Sequence, residues 1–147
     1  MTARLIVAGA SGKMGRMLLE ACSNDGETAL VGALDAANSP AIGVSARAFG
    51  WTRPAAAASD DVTVTADPGA LPRGAVLIDF TRPEATLAYL DACVANGVAM
   101  VIGTTGFDES AKAKIAAAAT TIPIVFSPNF SVGLNTGVPL LGLAAKS

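Results

Sequence analysis

The sequence predicts an α/β fold with a doubly wound, mostly parallel sheet, and two observations lead to this class. Short apolar runs rich in β-branched residues are typical of strands covered on both faces, and they occupy residues 5–8, 30–34, 75–78, 98–102 and 122–126. Segments with helical spacing lie between them, at residues 13–23, 83–96 and 109–120. Strands that alternate with helices imply parallel pairing through right-handed crossovers.

The ends of the second predicted helix carry local signals. Pro83 suits the first helical position, because its missing N–H has no partner there in any case. Gly97 follows Asn96 at the other end, and glycine commonly terminates a helix. A helix over 83–96 is therefore expected.

Two regions interrupt the alternation. Residues 36–60 are rich in Ala, Ser, Gly and Pro, contain the only tryptophan, Trp51, and lead into a Val-Thr alternation at 62–65. We expect a long loop or lid followed by an edge strand, because a long irregular segment in a compact domain is usually functional or mobile. Residues 131–146 are apolar at helical spacing but include three glycines and a proline, which predicts a weak or kinked helix.

The composition excludes several classes of function. A chain of 147 residues suits one domain, and a net charge of −2 with ten scattered Lys and Arg argues against a nucleic-acid or anionic membrane surface. With no histidine and two distant cysteines, Cys22 and Cys93, we expect no metal site and no imidazole catalysis; both thiols should be reduced and buried in helices. No apolar run could span a membrane and no leader pattern is present, so a cytoplasmic protein is expected.

A glycine-rich turn follows the first predicted strand and leads directly into a helix. Gly9 permits the tight turn, Gly12 lets the backbone approach a pyrophosphate, and Gly15 lets the helix pack against the strand. The unsatisfied N–H groups and the positive dipole end of that helix would face the anion. The alternative is a plain helix N-terminus. Asp35 favours the first interpretation, because it closes the second strand 20 residues after Gly15 (35 − 15), where a carboxylate can accept hydrogen bonds from an adenosine ribose.

The charges around this loop bear on the choice of cofactor. Lys13 is the one basic residue in the loop and could either reach a ribose phosphate or remain solvated. Asp35 is followed by Ala36 and Ala37, so no second cation beside it would attract a 2′-phosphate. On charge alone we expect NADH to be preferred over NADPH, or both to be accepted.

Small and polar residues follow three later strands, at 79–83, 103–107 and 127–131. Because ligands of open α/β sheets bind at the carboxyl ends of strands, these segments could surround a nicotinamide riboside. Each could also be an ordinary turn. Asp79 is either an acceptor for a helix N-terminus or a catalytic acid, and Arg82 is its candidate exposed partner.

Four strings occur in a fixed order: GASGKMG, DFTRPEATL, MVIGTTGF and PNFSVGLN. Over residues 5–135 the sequence resembles the N-terminal half of the bacterial 4-hydroxy-tetrahydrodipicolinate reductases, enzymes of the diaminopimelate branch of lysine biosynthesis. The resemblance implies a Rossmann-like domain that binds NADH or NADPH. It implies Gly9, Ala10, Ser11, Gly12, Lys13 and Met14 at the pyrophosphate, Asp35 at the ribose, Phe80 beneath the cofactor, and Gly103, Thr104, Thr105, Ser127, Pro128, Asn129 and Phe130 around the nicotinamide.

The resemblance also implies a second domain. Members of that family continue into a second, mixed-sheet domain that carries catalytic His and Lys residues, binds a small dicarboxylate and forms a homotetramer. Residues 1–131 would be the dinucleotide-binding domain and 132–147 a linking helix toward that second domain, which is absent from this sequence. No catalytic residue is expected here, so the chain should bind NAD(P)H without reducing 4-hydroxy-tetrahydrodipicolinate to tetrahydrodipicolinate.

Two other functions are considered. A stand-alone nucleotide-binding or sensing module would use residues 36–60 as its responsive element. An unrelated short-chain-type reductase is disfavoured, because Tyr89, the only tyrosine, is followed four residues later by Cys93 rather than by lysine.

Overall fold

The structure, a computed structural model, describes residues 2–52 and 61–127. Within them lie six strands: β1 (Ala3–Ala8), β2 (Thr28–Leu34), β3 (Val64–Thr65), β4 (Val76–Asp79), β5 (Ala99–Ile102) and β6 (Ile124–Phe126). The same residues form three α-helices: α1 (Lys13–Ser23), α2 (Pro83–Asn96) and α3 (Glu109–Ala118).

All six strands form one sheet in the order β3-β2-β1-β4-β5-β6, and each neighbouring pair is parallel. From β1 the chain adds β2 and β3 on one side, and it then returns to add β4, β5 and β6 on the other side. The order therefore reverses between β1 and β4, which is the point where open α/β sheets bind their ligands. The predicted doubly wound fold is confirmed.

Alternate residues of β1 point to opposite faces of the sheet and are fully buried on both. Leu5 and Val7 pack with α1, while Ile6 and Ala8 pack with α2 and α3. Burial on two faces explains why the strands read as unbroken apolar runs rather than as alternating patterns. The two hydrophobic cores hold β1 and β4 rigidly in the centre of the sheet.

The helix ends follow the local chemistry of the sequence. The second helix begins at Pro83 and is closed by Gly97, whose φ of +64° lies in the left-handed region that glycine adopts without strain. The third helix is capped by Asp108, whose carboxylate accepts a hydrogen bond from the Ala111 N–H at 2.7 Å. It ends at Ala118 rather than at residue 120.

The last described strand is shorter than predicted. It comprises only Ile124–Phe126, because the Ile122 N–H closes the turn after α3 on the Ala118 carbonyl at 3.0 Å and Pro123 has no N–H to donate. The start of the predicted strand at 122–126 is therefore wrong. Ile122 is nevertheless buried in the core beneath α3.

The segment after β2 is a loop but not a free lid in its described part, residues 36–52. It contains a short 3₁₀ helix, Ala46–Phe49, and buries Ala41 and Trp51 against α1 and β2. Two backbone hydrogen bonds of 2.9 Å, Gly43 N–H to Val64 O and Val64 N–H to Val44 O, tie it to the predicted edge strand β3. Residues 53–60 and the predicted linking helix at 132–147 lie outside the described residues.

None of the helices in the described ranges is long and apolar enough to cross a membrane.

Candidate functional site

The glycine-rich turn between β1 and α1 has the close packing that its sequence predicts. A Cβ at Gly15 would overlap the Gly9 carbonyl oxygen and lie 2.7 Å from the carbonyl carbon. Gly9 itself has a φ of +67°, and a Cβ there would lie 2.9 Å from Cγ2 of Thr81. The helix can approach the strand this closely only because both positions lack a side chain.

The N-terminus of α1 carries no side-chain cap. Gly12 is its N-cap and is exposed, and the helix starts at Lys13, which is also exposed. The first-turn N–H groups of a helix have no partner inside the helix, so they and the dipole present partial positive charge at this end. The arrangement suits an anion such as a pyrophosphate. Ala10, by contrast, is fully buried, and its N–H is engaged by the Leu34 carbonyl at 3.0 Å.

Asp35 lies at the carboxyl end of β2 and is tied to the glycine turn. Its Oδ2 accepts hydrogen bonds from both the N–H and the hydroxyl of Ser11, at 3.0 and 2.5 Å, and its Oδ1 accepts from the Ala36 N–H at 2.8 Å. Burial acts to raise the pKa of Asp35, but the hydrogen bonds from Ser11, Ala36 and Ser39 outweigh it and hold the pKa below its ordinary value. The carboxylate is therefore charged and fixed beside the turn.

Arg16 also holds the turn, although it is not among the residues that the sequence predicts for this site. Its Nε donates to the Ser11 carbonyl at 2.8 Å, and its guanidinium lies 5.0 Å from the centroid of the Phe49 ring. Ser11 is thus held on its N–H and hydroxyl by Asp35 and on its carbonyl by Arg16. The only signal in the sequence is that Arg16 lies on the first turn of the helix.

The ends of β4 and β5 are joined by a buried hydrogen-bond network. Asp79 is fully buried, and its Oδ1 accepts from the N–H and hydroxyl of Thr81, at 2.9 and 2.6 Å, and from the hydroxyl of Thr104 at 3.4 Å. The Thr104 hydroxyl oxygen also accepts from the Thr81 N–H and from the buried Thr86 hydroxyl, both at 3.0 Å. Asp79 therefore organises the turn before α2, whereas the N-cap of that helix is Arg82.

One expectation for these residues needs correction. Arg82 is exposed and forms no ion pair with Asp79, both of which belong to the described part of the chain. The pair fails because Asp79 points into the network while Arg82 lies at the surface. Thr104 is buried, with 2% of its surface exposed, and its hydroxyl is engaged in the network.

The remaining predicted residues lie along the same edge of the sheet. The Phe80 ring packs directly on Gly103, where any Cβ would overlap it, and Thr105 is exposed just beyond. Ser127 follows β6, and its N–H donates to the Ile102 carbonyl at 3.1 Å. Pro128, Asn129 and Phe130 lie outside the described residues.

Other chemistry is not evident in residues 2–52 and 61–127. No group of three or more Cys, Asp or Glu in these ranges is arranged to hold a metal ion. Cys22 and Cys93 lie buried and unpaired in α1 and α2, as predicted. Lys112 is engaged by Glu109 at 2.8 Å on the exposed face of α3.

Comparison with known proteins decides the family. Residues 3–130 match the family model described as "Dihydrodipicolinate reductase, N-terminus". The chain belongs to the dihydrodipicolinate reductase family. The match spans all six strands of the described sheet, so it excludes an unrelated short-chain-type reductase.

Individual relatives of the chain are reductases of the same family. The chain is 51% identical over 147 residues to the 4-hydroxy-tetrahydrodipicolinate reductase of Thiobacillus denitrificans, covering 99% of this chain and 53% of the relative. The reductase of Herminiimonas arsenicoxydans is 49% identical, with 98% and 52% covered. A solved structure, dipicolinate-bound dihydrodipicolinate reductase from Paenisporosarcina sp. TG-14, superposes with a TM-score of 0.68 at 27% identity, covering 99% of this chain and 54% of that one. The chain spans about half the length of these relatives.

Proposed function

We propose that residues 1–131 are the dinucleotide-binding domain of a reductase that uses NADH or NADPH to reduce 4-hydroxy-tetrahydrodipicolinate. The observation that carries the proposal is the junction of the glycine turn with Asp35 through Ser11. It brings the N-terminus of α1, which suits an anion, next to a carboxylate that can bind a ribose, at the carboxyl edge of the sheet. A dinucleotide-binding site needs both features. Membership of the reductase family gives the reaction class.

The residues present fit such a cofactor. A Cβ at Gly12 would lie 3.2 Å from the Gly9 carbonyl oxygen, so glycine keeps the N-terminus of α1 free of a side chain, and Gly9 and Gly15 let the turn stay tight. The pyrophosphate would lie on residues 9–14 and the adenosine ribose at Asp35. The residues that would flank the nicotinamide end are Phe80, Gly103, Thr104 and Thr105, together with residues 127–130.

The cofactor preference follows from charge. Asp35 would repel a 2′-phosphate and accept hydrogen bonds from free ribose hydroxyls, and Ala36 and Ala37 add no cation. Lys13 is exposed at the helix N-terminus, and the guanidinium of Arg16 is bonded to the Ser11 carbonyl. NADH should therefore bind at least as tightly as NADPH.

The whole reaction is part of the same proposal. When bound, the reduced cofactor supplies a hydride. The Paenisporosarcina relative has dipicolinate, a small dicarboxylate, bound in its structure, which supports a small dicarboxylate as the acceptor here. We infer that residues 132–147 lead toward the portion that the relatives have in addition, where the acceptor site and a homotetramer interface would lie. A cytoplasmic location is proposed on the same resemblance to biosynthetic enzymes.

Titration of the chain with NADH and with NADPH, followed by cofactor fluorescence, tests the proposal. Gly12→Val places a branched side chain at the mouth of the turn and should abolish binding of both nucleotides. Gly26→Val is the matched control, because a Cβ at Gly26 meets nothing within 4 Å. Absence of saturable binding by the wild-type chain, or unchanged affinity in Gly12→Val, contradicts the proposal. A turnover assay with NADH and the acceptor should show no sustained oxidation by this chain.

A further inference from the structure

Asp79 is the most unusual polar group among the described residues. Its carboxylate is fully buried at the carboxyl end of β4, next to the point where the strand order reverses. One oxygen, Oδ1, receives all three of the network's hydrogen bonds to the carboxylate, and the other, Oδ2, is buried with no hydrogen-bond partner. A buried acceptor without a partner destabilises the fold, so such a group in a native structure calls for an explanation.

The network by itself does not require a carboxylate. The amide oxygen of asparagine could accept the same hydrogen bonds from Thr81 and Thr104 at the Oδ1 position. What aspartate adds is a charge, and no cation among the described residues forms an ion pair with it. An unpaired charge in a low-dielectric interior acts over a longer range than one at the surface.

The field of this charge reaches the neighbouring helix. Burial raises the pKa of Cys93 to about 12, with a smaller contribution from the negative charge of Asp79. Burial is also the largest cause of the raised pKa of Tyr89, and the charge of Asp79 is the next largest. On the other side, Phe80 follows Asp79 directly and packs on Gly103 at the edge of the sheet. The charge thus lies at the end of β4, next in sequence to one of the residues to which the proposed function assigns the nicotinamide.

We propose that Asp79 is an electrostatic residue of the cofactor site, whose buried negative charge favours the oxidised, positively charged nicotinamide ring over the neutral reduced ring. The inference rests on the proposed function. In the proposed reaction the reduced cofactor would supply a hydride to one atom of the acceptor's double bond, and a proton donor in the portion that the relatives have in addition would protonate the other atom, so the nicotinamide ring would gain one positive charge. A fixed negative charge near the ring would assist donation of the hydride.

The test compares the affinities of the chain for NAD⁺, NADH and ADP-ribose by calorimetry. ADP-ribose contains every part of the cofactor except the nicotinamide ring. In Asp79→Asn the affinity for NAD⁺ should fall about tenfold relative to that for NADH, the order of magnitude for a unit charge acting over roughly 10 Å at an effective dielectric of about 20. The affinity for ADP-ribose should stay within about twofold.

Thr86→Val is the matched control. It removes the buried hydroxyl that donates to Thr104 but leaves the charge, so the ratio of NAD⁺ to NADH affinity should not change. Asp79→Ser removes the charge and leaves room for a water, and it serves as a second variant with the same criteria if the asparagine variant does not fold.

Equal losses for all three ligands in the Asp79 variants would mean that Asp79 only positions the strand ends, and unchanged affinities would mean that its charge does not reach the ring. Either result overturns the inference. If the wild-type chain binds none of the three ligands, the proposed function itself is wrong, and the two failures are thus distinguished.

Discussion

Ser11 and Asp35 join the end of β1 to the end of β2 through two hydrogen bonds to a single carboxylate oxygen, 3.0 Å from the Ser11 N–H and 2.5 Å from its hydroxyl. The bonds hold the glycine turn and the carboxylate in a fixed relation before any ligand arrives. Preorganisation of this kind lowers the entropy that binding must overcome. The second carboxylate oxygen accepts from the Ala36 N–H, and each carboxylate oxygen has more than one acceptor site, so Asp35 can also accept from a ribose.

Ser11→Ala should lower the stability of the fold at neutral pH and make that stability less dependent on acid. Because the folded pKa of Asp35 is below its unfolded value, its contribution to stability is full above the unfolded pKa of about 3.9 and is lost as the pH falls through the folded pKa. The variant loses the hydroxyl bond and should be about 1 kcal/mol less stable at pH 7, with a difference that shrinks toward pH 2. Urea unfolding across this pH range measures it. Ser110→Ala, at an exposed position of α3, should show no such difference; a pH-independent gap would contradict the assignment.

Asp35→Ala should weaken NADH binding by about 1–3 kcal/mol, the range for lost hydrogen bonds to a charged group. The loss should be smaller for NADPH, because the variant also removes the repulsion of a 2′-phosphate. Fluorescence titrations with both nucleotides give the two values. The control Asp91→Ala makes the same change of net charge at an exposed position of α2 and should leave both affinities unaltered. Equal losses for the two nucleotides would count against Asp35 as the discriminating residue.

Gly15→Ala should destabilise the fold. The added Cβ would overlap the Gly9 carbonyl, which belongs to backbone that cannot move without separating α1 from β1. We expect the free energy of unfolding to drop by at least about 2 kcal/mol, despite the roughly 1 kcal/mol gained in helix propensity. Gly26→Ala, in open space, should change it by no more than about 0.5 kcal/mol. Denaturant unfolding measures the stabilities of both variants. Equal free energies of unfolding for Gly15→Ala and Gly26→Ala would refute the packing argument.

The two cysteines should be inert in the folded chain. Burial, with a smaller contribution from Asp25, raises the pKa of Cys22 to about 11, and burial and Asp79 raise that of Cys93 to about 12. A thiol-specific disulfide reagent at pH 8 should therefore react with neither until denaturant is added. Rapid reaction of either thiol without denaturant would show that its burial is incomplete.

The same two thiols should lower stability in alkali. A group whose pKa is higher in the folded state contributes stability that is full below the unfolded pKa, near 9, and that is lost as the pH rises through the folded values. The free energy of unfolding should thus decline between about pH 9 and 12. Cys93→Ala should reduce the slope of that decline, and an identical slope would exclude this thiol as a cause.

Local signals in the sequence predicted most of the fold. Unbroken apolar runs located the central strands, Pro83 and Gly97 bounded α2, and three glycines at intervals of three located the turn before α1. These features act within a few residues of the chain, so a sequence reveals them. The error at the start of β6 has a local cause too, since Pro123 interrupts an apolar run whose length alone suggested a longer strand.

The partners of the polar side chains could not be predicted in this way. Asp79 meets Thr104 only because β4 pairs with β5 so that Asp79 lies opposite Ile102, and the candidate partner Arg82, although nearer in sequence, points elsewhere. Arg16 contacts Ser11 only because the helix returns over the turn. Nothing in residue type or spacing distinguishes these pairs from others of the same composition.

The sequence by itself determined the fold class, the limits of α1 and α2 and the position of an anion-binding turn, because each depends on hydrophobic periodicity or on backbone conformations that few residues adopt. Only the tertiary structure decided that Ser11 is shared between Asp35 and Arg16, and that Asp79 is a buried charge rather than half of a surface ion pair. The physical reason is the register of the parallel strands. It brings the carboxyl ends of β1, β2, β4 and β5 to one edge and so selects which of the polar groups in their loops come within hydrogen-bonding distance.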